Sequence, residues 1–166
     1  MHHLEQLLGR KLNWIVCNLH TNELPLRHLI MEIDGKTMSK NRWTGPLGKM
    51  LDNVTDLAVA KKIKHIEAPQ LPILQPQILL DLSTDQAYAY KIHEGIRIGH
   101  ISTSLTLLEI GPVSHSRWLT TTLRFLRLWI STHELKGKDL QNLKKIVEYI
   151  MVVYIPTWFT IKIKHH

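Results

Sequence analysis

The chain has 166 residues, enough for one domain with a hydrophobic core and too few for two large domains. Apolar residues make up 44%, which excludes a chain disordered by composition, and the single cysteine excludes an internal disulfide and predicts an intracellular protein of the nucleus or cytoplasm. The formal net charge of +7 predicts attraction to polyanions without specifying which one. No run reaches about 18 uninterrupted apolar residues, so no membrane partner is predicted.

The first 35 residues predict a helix, a strand and a second helix. HLEQLLGRKLNW places its leucines on one helical face, and KLNWIVCNL is typical of a fully buried strand. In TNELPLRHLIMEIDG, the apolar residues follow helical spacing. Thr21 or Asn22 is predicted to cap this helix and Asp34–Gly35 to end it.

Residues 36–110 predict loops mixed with short helices. KTMSKNRWTGPLGKML indicates a loop that leads into a short helix around Leu47 to Leu51, and EAPQLPILQPQILLDL an extended connector. The spacing of Ser83 and Gln86 is that of a capping box, which predicts a helix from Thr84 to about Ile98.

Residues 111–166 predict two long helices. SHSRWLTTTLRFLRLWIST is the clearest helical pattern in the chain, and KDLQNLKKIVEYIMVVYIPTWF predicts the last helix, with Pro156 near its end. The fold class is therefore mainly α, with one or two short strands. The chain is either a helical domain or a piece of an α/β domain.

Cys17 and His20 raise the question of a metal site or a catalytic pair. Zinc takes about four ligands, and no second paired motif joins these two, although His28 and His115 could add ligands. Residues three apart on a strand point to opposite faces, which disfavours a nucleophilic pair. The favoured interpretation is a small buried Cys17 and a His20 that bonds backbone groups at a strand-to-helix turn.

One side of the RWLTTTLRFLRLW helix carries arginines and threonines. A stripe of this kind could hold phosphates, and Trp118 at its start could stack on an unpaired base. The alternative is an ordinary amphipathic helix with solvated arginines. The stripe comprises Arg117, Thr120, Thr121, Arg124 and Arg127.

Several motifs in order along the chain resemble a family of transposon-derived proteins common in arthropod genomes. They are WIVCNLHTNELPLRHL, RWTGPLGKML, LSTDQAYAY, GPVSHSRWLTTTLRFLRLW and YIPTWFTIK. The chain is also similar to hAT superfamily transposases, through a Cys-x-x-His motif (Cys17, His20) and an Arg-Trp motif (Arg117, Trp118). This resemblance implies an RNase H-like fold, in which three carboxylates bind two divalent metals for strand cleavage. It also implies DNA contact by Arg117 and Trp118 and a structural role for Cys17 and His20.

The carboxylates of that pattern have no counterpart here. Glu5 is the only acid before Cys17, and the aspartates fall between the motifs or at helix starts, where capping explains them. They are Asp34, Asp52, Asp56, Asp81, Asp85 and Asp139. No resident metal or cofactor is expected, since Mg²⁺ would belong only to a full-length relative, and independent catalysis is not expected.

The resulting prediction is a truncated or degenerate transposase-like protein with residual DNA binding. Residues 1–35 would be the last helix-strand-helix piece of an RNase H-like core, 36–110 an insertion, and 111–166 a C-terminal helical pair. Nucleic acid would contact Arg117, Trp118, Arg124 and Arg127. The alternative is a small helical protein-interaction module. In that case Trp129, Trp158 and Phe159 would mark a partner surface. Under either hypothesis, core surface exposed by truncation could favour self-association.

Overall fold

A computed structural model describes residues 18–38, 42–60, 62–108, 110, 117–131 and 135–164. This part of the chain is mainly helical, as predicted. Two strands of two residues each, β1 (Thr37–Met38) and β2 (Arg42–Trp43), pair antiparallel. The helices are α1 (Asn18–Asp34), α2 (Pro46–Met50), a 3-10 helix (Leu51–Asp56), α3 (Pro76–Leu80), α4 (Thr84–Ile98), α5 (Thr103–Thr106), α6 (Arg117–Ile130), α7 (Gly137–Tyr149), a π-helical turn (Ile150–Tyr154) and α8 (Ile155–Lys164).

Helix α6 lies at the centre of the fold. It packs against α4, α7 and the 3-10 helix. Its apolar side chains are buried on more than one side of the helix, because Leu123, Phe125 and Leu128 are each at most 2% exposed. On a helical wheel Leu128 falls on the same side as the arginines, and its burial shows that this side also faces protein.

Helix α1 runs antiparallel to α7 and α8. Near the start of α1, the side-chain amide of Asn22 donates to the carbonyl of Tyr154 (3.0 Å), and Asn142 donates to Ile33 near its end (3.4 Å). Asn18, Leu19 and His20 are already helical, so Thr21 and Asn22 are not caps. The predicted strand is wrong at Asn18 and Leu19, and its residues 11–17 lie outside the described part. Gly35, with φ 97°, ends α1 as predicted.

The buried carboxylate of Asp34 connects α1 to α2. It accepts hydrogen bonds from the backbone N–H groups of Leu47 (2.9 Å) and Gly48 (2.7 Å), which lie in the first turn of α2. Burial raises the pKa of Asp34, and the two hydrogen bonds partly oppose that shift. This aspartate therefore does cap a helix, but one that follows it by more than ten residues.

The last helix does not end near Pro156, contrary to the prediction. It continues to Lys164 through the π-helical turn. Proline has no backbone N–H, so Pro156 cannot donate to the carbonyl of Met151, five residues earlier. The buried imidazole of His93 donates to that carbonyl through Nε2 (2.9 Å). A side chain from α4 thus satisfies a carbonyl that the proline cannot.

The run Gly137–Lys164 is long and apolar enough to cross a membrane by length and composition alone. The same character is expected of a helix in a protein core. The face carrying Leu143, Ile146, Val147 and Ile150 is buried in this fold.

Candidate nucleic-acid interface

The arginine side of α6 is covered by a segment that we call the strap, residues 51–60 and 62–64. Backbone and side-chain hydrogen bonds attach the strap along the helix. The N–H of Ala60 donates to the carbonyl of Ile130 (2.8 Å), and the indole N–H of Trp129 donates to the carbonyl of Lys64 (2.8 Å). Val59 and Ser131 form an isolated antiparallel bridge. The strap therefore occupies the space that a phosphate backbone would need.

Arg127 is buried beneath the strap, with 6% of its surface exposed. Its Nη2 donates to the carbonyl of Leu57 (3.2 Å). Its buried Nη1 and the buried hydroxyl of Tyr88 have no hydrogen-bond partner within the described residues. Burial raises the pKa of Tyr88, and the nearby guanidinium of Arg127 opposes that shift. In this arrangement Arg127 binds protein and is closed off from a nucleic acid.

Arg124 also points to the strap. Its Nη1 donates to the carbonyl of Leu51 (3.2 Å) and lies 3.9 Å from the carboxylate of Asp52. The side chain is 28% exposed. One turn earlier, the hydroxyl of Thr120 donates to Asp85 at 3.1 Å. The Nη1 of Arg124 is therefore engaged by protein, although the side chain remains partly exposed, and its contact with nucleic acid stays a prediction.

Trp118 packs against another tryptophan. It is half-buried, and its ring meets Trp43 edge-on, with ring centroids 5.8 Å apart. Trp43 makes a second edge contact with Phe125 (6.5 Å). Arg117 begins α6, and its side chain lies outside the described part of the structure. DNA contact by Arg117 and Trp118 stays a prediction.

The Cys-x-x-His motif is described only in part. Cys17 lies outside the described residues, and His20 lies within α1 instead of at a strand-to-helix turn. The His20 ring is 60% exposed, with Nδ1 3.8 Å from the Glu23 carboxylate. Among the side chains that the structure describes, no group of three His, Cys, Asp or Glu residues could hold a metal ion.

The three aromatic residues proposed as a partner surface belong to the core. Trp129, Trp158 and Phe159 are 7%, 4% and 0% exposed. Phe159 makes edge contacts with Trp158 (5.1 Å) and with Tyr90 (5.2 Å). These residues lie near the C-terminal ends of helical patterns, where the sequence does not distinguish core from surface. The hypothesis that they form a partner surface is wrong, because all three are buried.

A basic surface that the sequence analysis did not single out lies on the outer side of the strap. Lys62, Lys64 and His65 are exposed, whereas Ile63 and Ile66 are buried. Lys64 also places its ammonium 5.8 Å from the centroid of the Trp129 ring. The signal for this surface was available in the sequence, as the run KKIKH at residues 61–65.

Ile63, the buried residue within this basic run, lines a groove of about 200 Å³ between the strap and the α4–α5 corner. On the far side, Gly99 ends α4 with φ 75°, and the exposed His100 follows it. A Cβ at Gly99 would lie 3.9 Å from the Cβ of His65, so the two walls meet there. The groove residues are Val59, Ala60, Ile63, Gly99, His100, Ile101, Thr103 and Thr106. We call this the strap groove.

The chain was compared with protein-family models, curated proteins and solved structures. No family model, no curated protein and no solved structure matches the chain.

Proposed function

We propose that this chain is a transposase-like protein that binds nucleic acid through the basic surface around the strap groove and has no independent catalysis. The observation that supports it is a set of exposed basic side chains: Lys62, Lys64 and His65 lie next to the groove residue Ile63 in the chain, and His100 lines the groove itself. The transposase-like character depends on the resemblance of the sequence motifs. A nuclear or cytoplasmic location belongs to the same proposal.

The charge balance at this surface favours a polyanion. Lys62 and Lys64 are both exposed, and Ile63 between them is buried. Glu67 is the next acid along the segment, and the Glu94 carboxylate is engaged by Arg97 at 2.8 Å. Lysine binds phosphate as a point charge with little demand on geometry, which suits contact with a nucleic-acid backbone.

The strap also changes which residues carry the proposal. Arg124 and Arg127 donate to strap carbonyls, so they support binding indirectly by holding the strap in position. The direct contacts move to the lysines and histidines on the outer side. Arg117 and Trp118 remain part of the proposal as contacts at the start of α6.

A pair of charge-matched variants tests the proposal. The test variant carries Lys62→Gln and Lys64→Gln, and the control carries Lys91→Gln and Lys145→Gln, which are exposed lysines of α4 and α7. Each variant removes two charges, so each lowers the formal net charge from +7 to +5 (7 − 2). Binding to a labelled oligonucleotide is followed by fluorescence anisotropy across a salt series.

The slope of log K against log salt reports the number of phosphates contacted. Losing two contacts should reduce its magnitude by roughly 1.4 to 1.8 in the strap variant, and the control should keep the parent slope. Absence of binding even at about 50 mM salt would contradict the proposal. So would an equal loss in both double variants, because that would indicate attraction by net charge alone.

A further inference from the structure

Two of the four exposed basic side chains named above are histidines, so the charge of this surface depends on pH. Lysine keeps its charge across the physiological range, whereas histidine is the side chain whose charge changes between about pH 5 and 8. Lys62 and Lys64 therefore supply a constant positive charge, and His65 and His100 add to it when they are protonated. Protonation of both histidines would double the number of cations from two to four.

The two histidines come from different elements and meet at one place on the surface. A Cβ at Gly99 would lie 3.9 Å from the Cβ of His65, and Gly99 directly precedes His100 in the chain. Ile63 and Ile66 are buried and hold the segment that carries His65 against the core. One ligand can therefore contact the histidines of both elements.

Backbone hydrogen bonds fix the two elements that carry these histidines. The N–H of His100 donates to the carbonyl of Gly95 in α4 (2.9 Å). The carbonyl of Lys64, directly before His65, accepts from the indole N–H of Trp129 in α6 (2.8 Å). Because both backbones are held within the fold, a polyanion needs no backbone rearrangement to contact both histidines.

Most other charged side chains on the elements packed here have partners of their own or lie beneath the strap. Helix α5 (Thr103–Thr106) contributes no charged residue. On α4, Glu94 and Arg97 pair at 2.8 Å, and beneath the strap Arg124 lies 3.9 Å from Asp52 and Arg127 is buried.

The remaining charged groups and the ligand set the direction of the coupling. Lys62 and Lys64 oppose protonation of the histidines, because like charges repel. Glu67, two residues beyond His65, and Asp56, at the end of the 3-10 helix, favour protonation. A bound phosphate adds negative charge beside the imidazoles and favours their protonated form. Binding of a polyanion and uptake of protons therefore favour each other.

We propose that protonation of His65 and His100 regulates this surface, so that nucleic acid binds more tightly as the pH falls from about 7.5 to about 6. The inference rests on the proposed function and names the regulation of the same site. The lysines provide binding at the higher pH, and the histidines add contacts at the lower one.

The salt dependence of binding at two pH values tests the proposal. The probe is a labelled oligothymidylate, whose phosphates and bases keep their charge across this pH range. At about 0.1 M salt we expect the affinity of the wild-type protein to be fivefold or more higher at the lower pH, and the slope of log K against log salt to increase in magnitude by up to about 1.4. Partial unfolding in mild acid would weaken binding and cannot imitate this result.

Two double variants locate the effect. The test variant carries His65→Gln and His100→Gln, and the control carries His20→Gln and His28→Gln, which are exposed histidines of α1. Each variant keeps nine of the eleven histidines (11 − 2). The test variant should bind with nearly the same affinity at both pH values, whereas the control should keep the pH dependence of the parent.

Proton uptake gives a second measurement that does not depend on the affinity. Calorimetric titration with the oligothymidylate at about pH 6.5, in two buffers of different ionisation enthalpy, should show net uptake of protons by the wild-type protein. The uptake should disappear in the test variant. If that variant does not fold, His65→Gln alone should reduce the uptake by about half.

The outcomes distinguish the two proposals. Equal affinity at both pH values, or binding without proton uptake, would overturn the pH regulation and leave polyanion binding intact. Absence of binding at either pH would remove the proposed function as well. A pH dependence that persists in the test variant, or that falls equally in the α1 control, would indicate titration of other histidines and would also overturn the inference.

Discussion

The ring of Trp118 meets that of Trp43 edge-on at 5.8 Å, and this contact joins two motifs that lie 75 residues apart (118 − 43). One is the Arg-Trp motif at the start of α6, and the other is the RWTGPLG segment around β2 and α2. Edge-to-face tryptophan pairs prefer this geometry because the positive ring edge faces the negative ring face. Trp118 is therefore a packing residue, whatever further contact it makes.

A double-mutant cycle measures the Trp43–Trp118 contact. We expect Trp43→Leu and Trp118→Leu each to lower the free energy of unfolding. The effects should not add, and the coupling should be about 1 kcal/mol, because either substitution alone already removes the contact between the two rings. Urea unfolding of the four proteins gives the value. A coupling near zero would mean that the rings do not interact in solution.

The two inward-pointing arginines should not contribute to the salt dependence of binding. Arg124→Gln and Arg127→Gln remove donors to the carbonyls of Leu51 and Leu57, so each is expected to destabilise the fold by about 2 kcal/mol. Because Arg127 is buried and the Nη1 of Arg124 already donates to protein, we expect the slope of log K against log salt to stay that of the parent. A decrease of roughly 0.7 to 0.9 per arginine would instead show direct phosphate contact.

The buried His93 predicts a loss of stability in mild acid. Burial lowers the pKa of His93 below its ordinary value of 6.5, while the hydrogen bond to Met151 and the neighbouring Glu94 partly oppose the shift. Arg97, one turn further along α4, adds slightly to the lowering. As pH falls through 6.5, the unfolded chain gains a proton that the folded chain does not, so the free energy of unfolding decreases.

The size of this effect has an upper limit of about 1.4 kcal/mol per pH unit, reached between the unfolded and folded pKa values of His93. Urea unfolding at about pH 7.5 and 5.5 measures it. His93→Gln retains a donor for the carbonyl of Met151 and does not titrate, so the difference between the two proteins isolates His93 from the other histidines. Identical pH dependence in both would contradict the assignment.

Gly48 lies where a side chain has no room. A Cβ at this position would be 2.0 Å from the Cβ of Trp43, although Gly48 is helical and alanine would otherwise favour the helix. We expect Gly48→Ala to lower the free energy of unfolding by about 3 kcal/mol. Gly137→Ala is the matched control, since its Cβ would meet nothing within 4 Å and only the φ of 57° opposes it.

The control variant should cost about 1 kcal/mol, which is the penalty for a left-handed alanine. Thermal unfolding of the two variants and of the parent protein shows which substitution is more destabilising. If Gly48→Ala is no worse than Gly137→Ala, the close packing of α2 on Trp43 is not as the structure has it.

Local signals predicted α4 correctly at both ends. Ser83 and Gln86 form the reciprocal capping box, with bonds of 3.4 and 3.1 Å, and Gly99 ends the helix in the left-handed conformation. These interactions join residues within one turn, so the sequence of that turn is sufficient to predict them. The last helix shows the opposite case, because Pro156 signals an end locally, whereas His93 and Asn22 from distant helices satisfy carbonyls of the π-helical turn.

Periodicity could not show, for the same reason, whether the arginines of α6 face solvent. A helical wheel separates the polar side of α6 from the apolar side, but it does not say whether the polar side faces water. Here the partners of Arg124 and Arg127 are carbonyls 73 and 70 residues earlier in the chain. Lys62 and Lys64 show the opposite behaviour to Arg127. They belong to a short basic run with no helical pattern, and both are exposed.

The sequence by itself determined the helical class, the positions of most helices, the capping of α4 and an excess of positive charge, because these follow from composition and from contacts within a turn or two. Only the tertiary structure decided which charges face solvent. A buried guanidinium must find acceptors, and those acceptors belong to a strap whose approach to α6 depends on contacts between residues far apart in the chain.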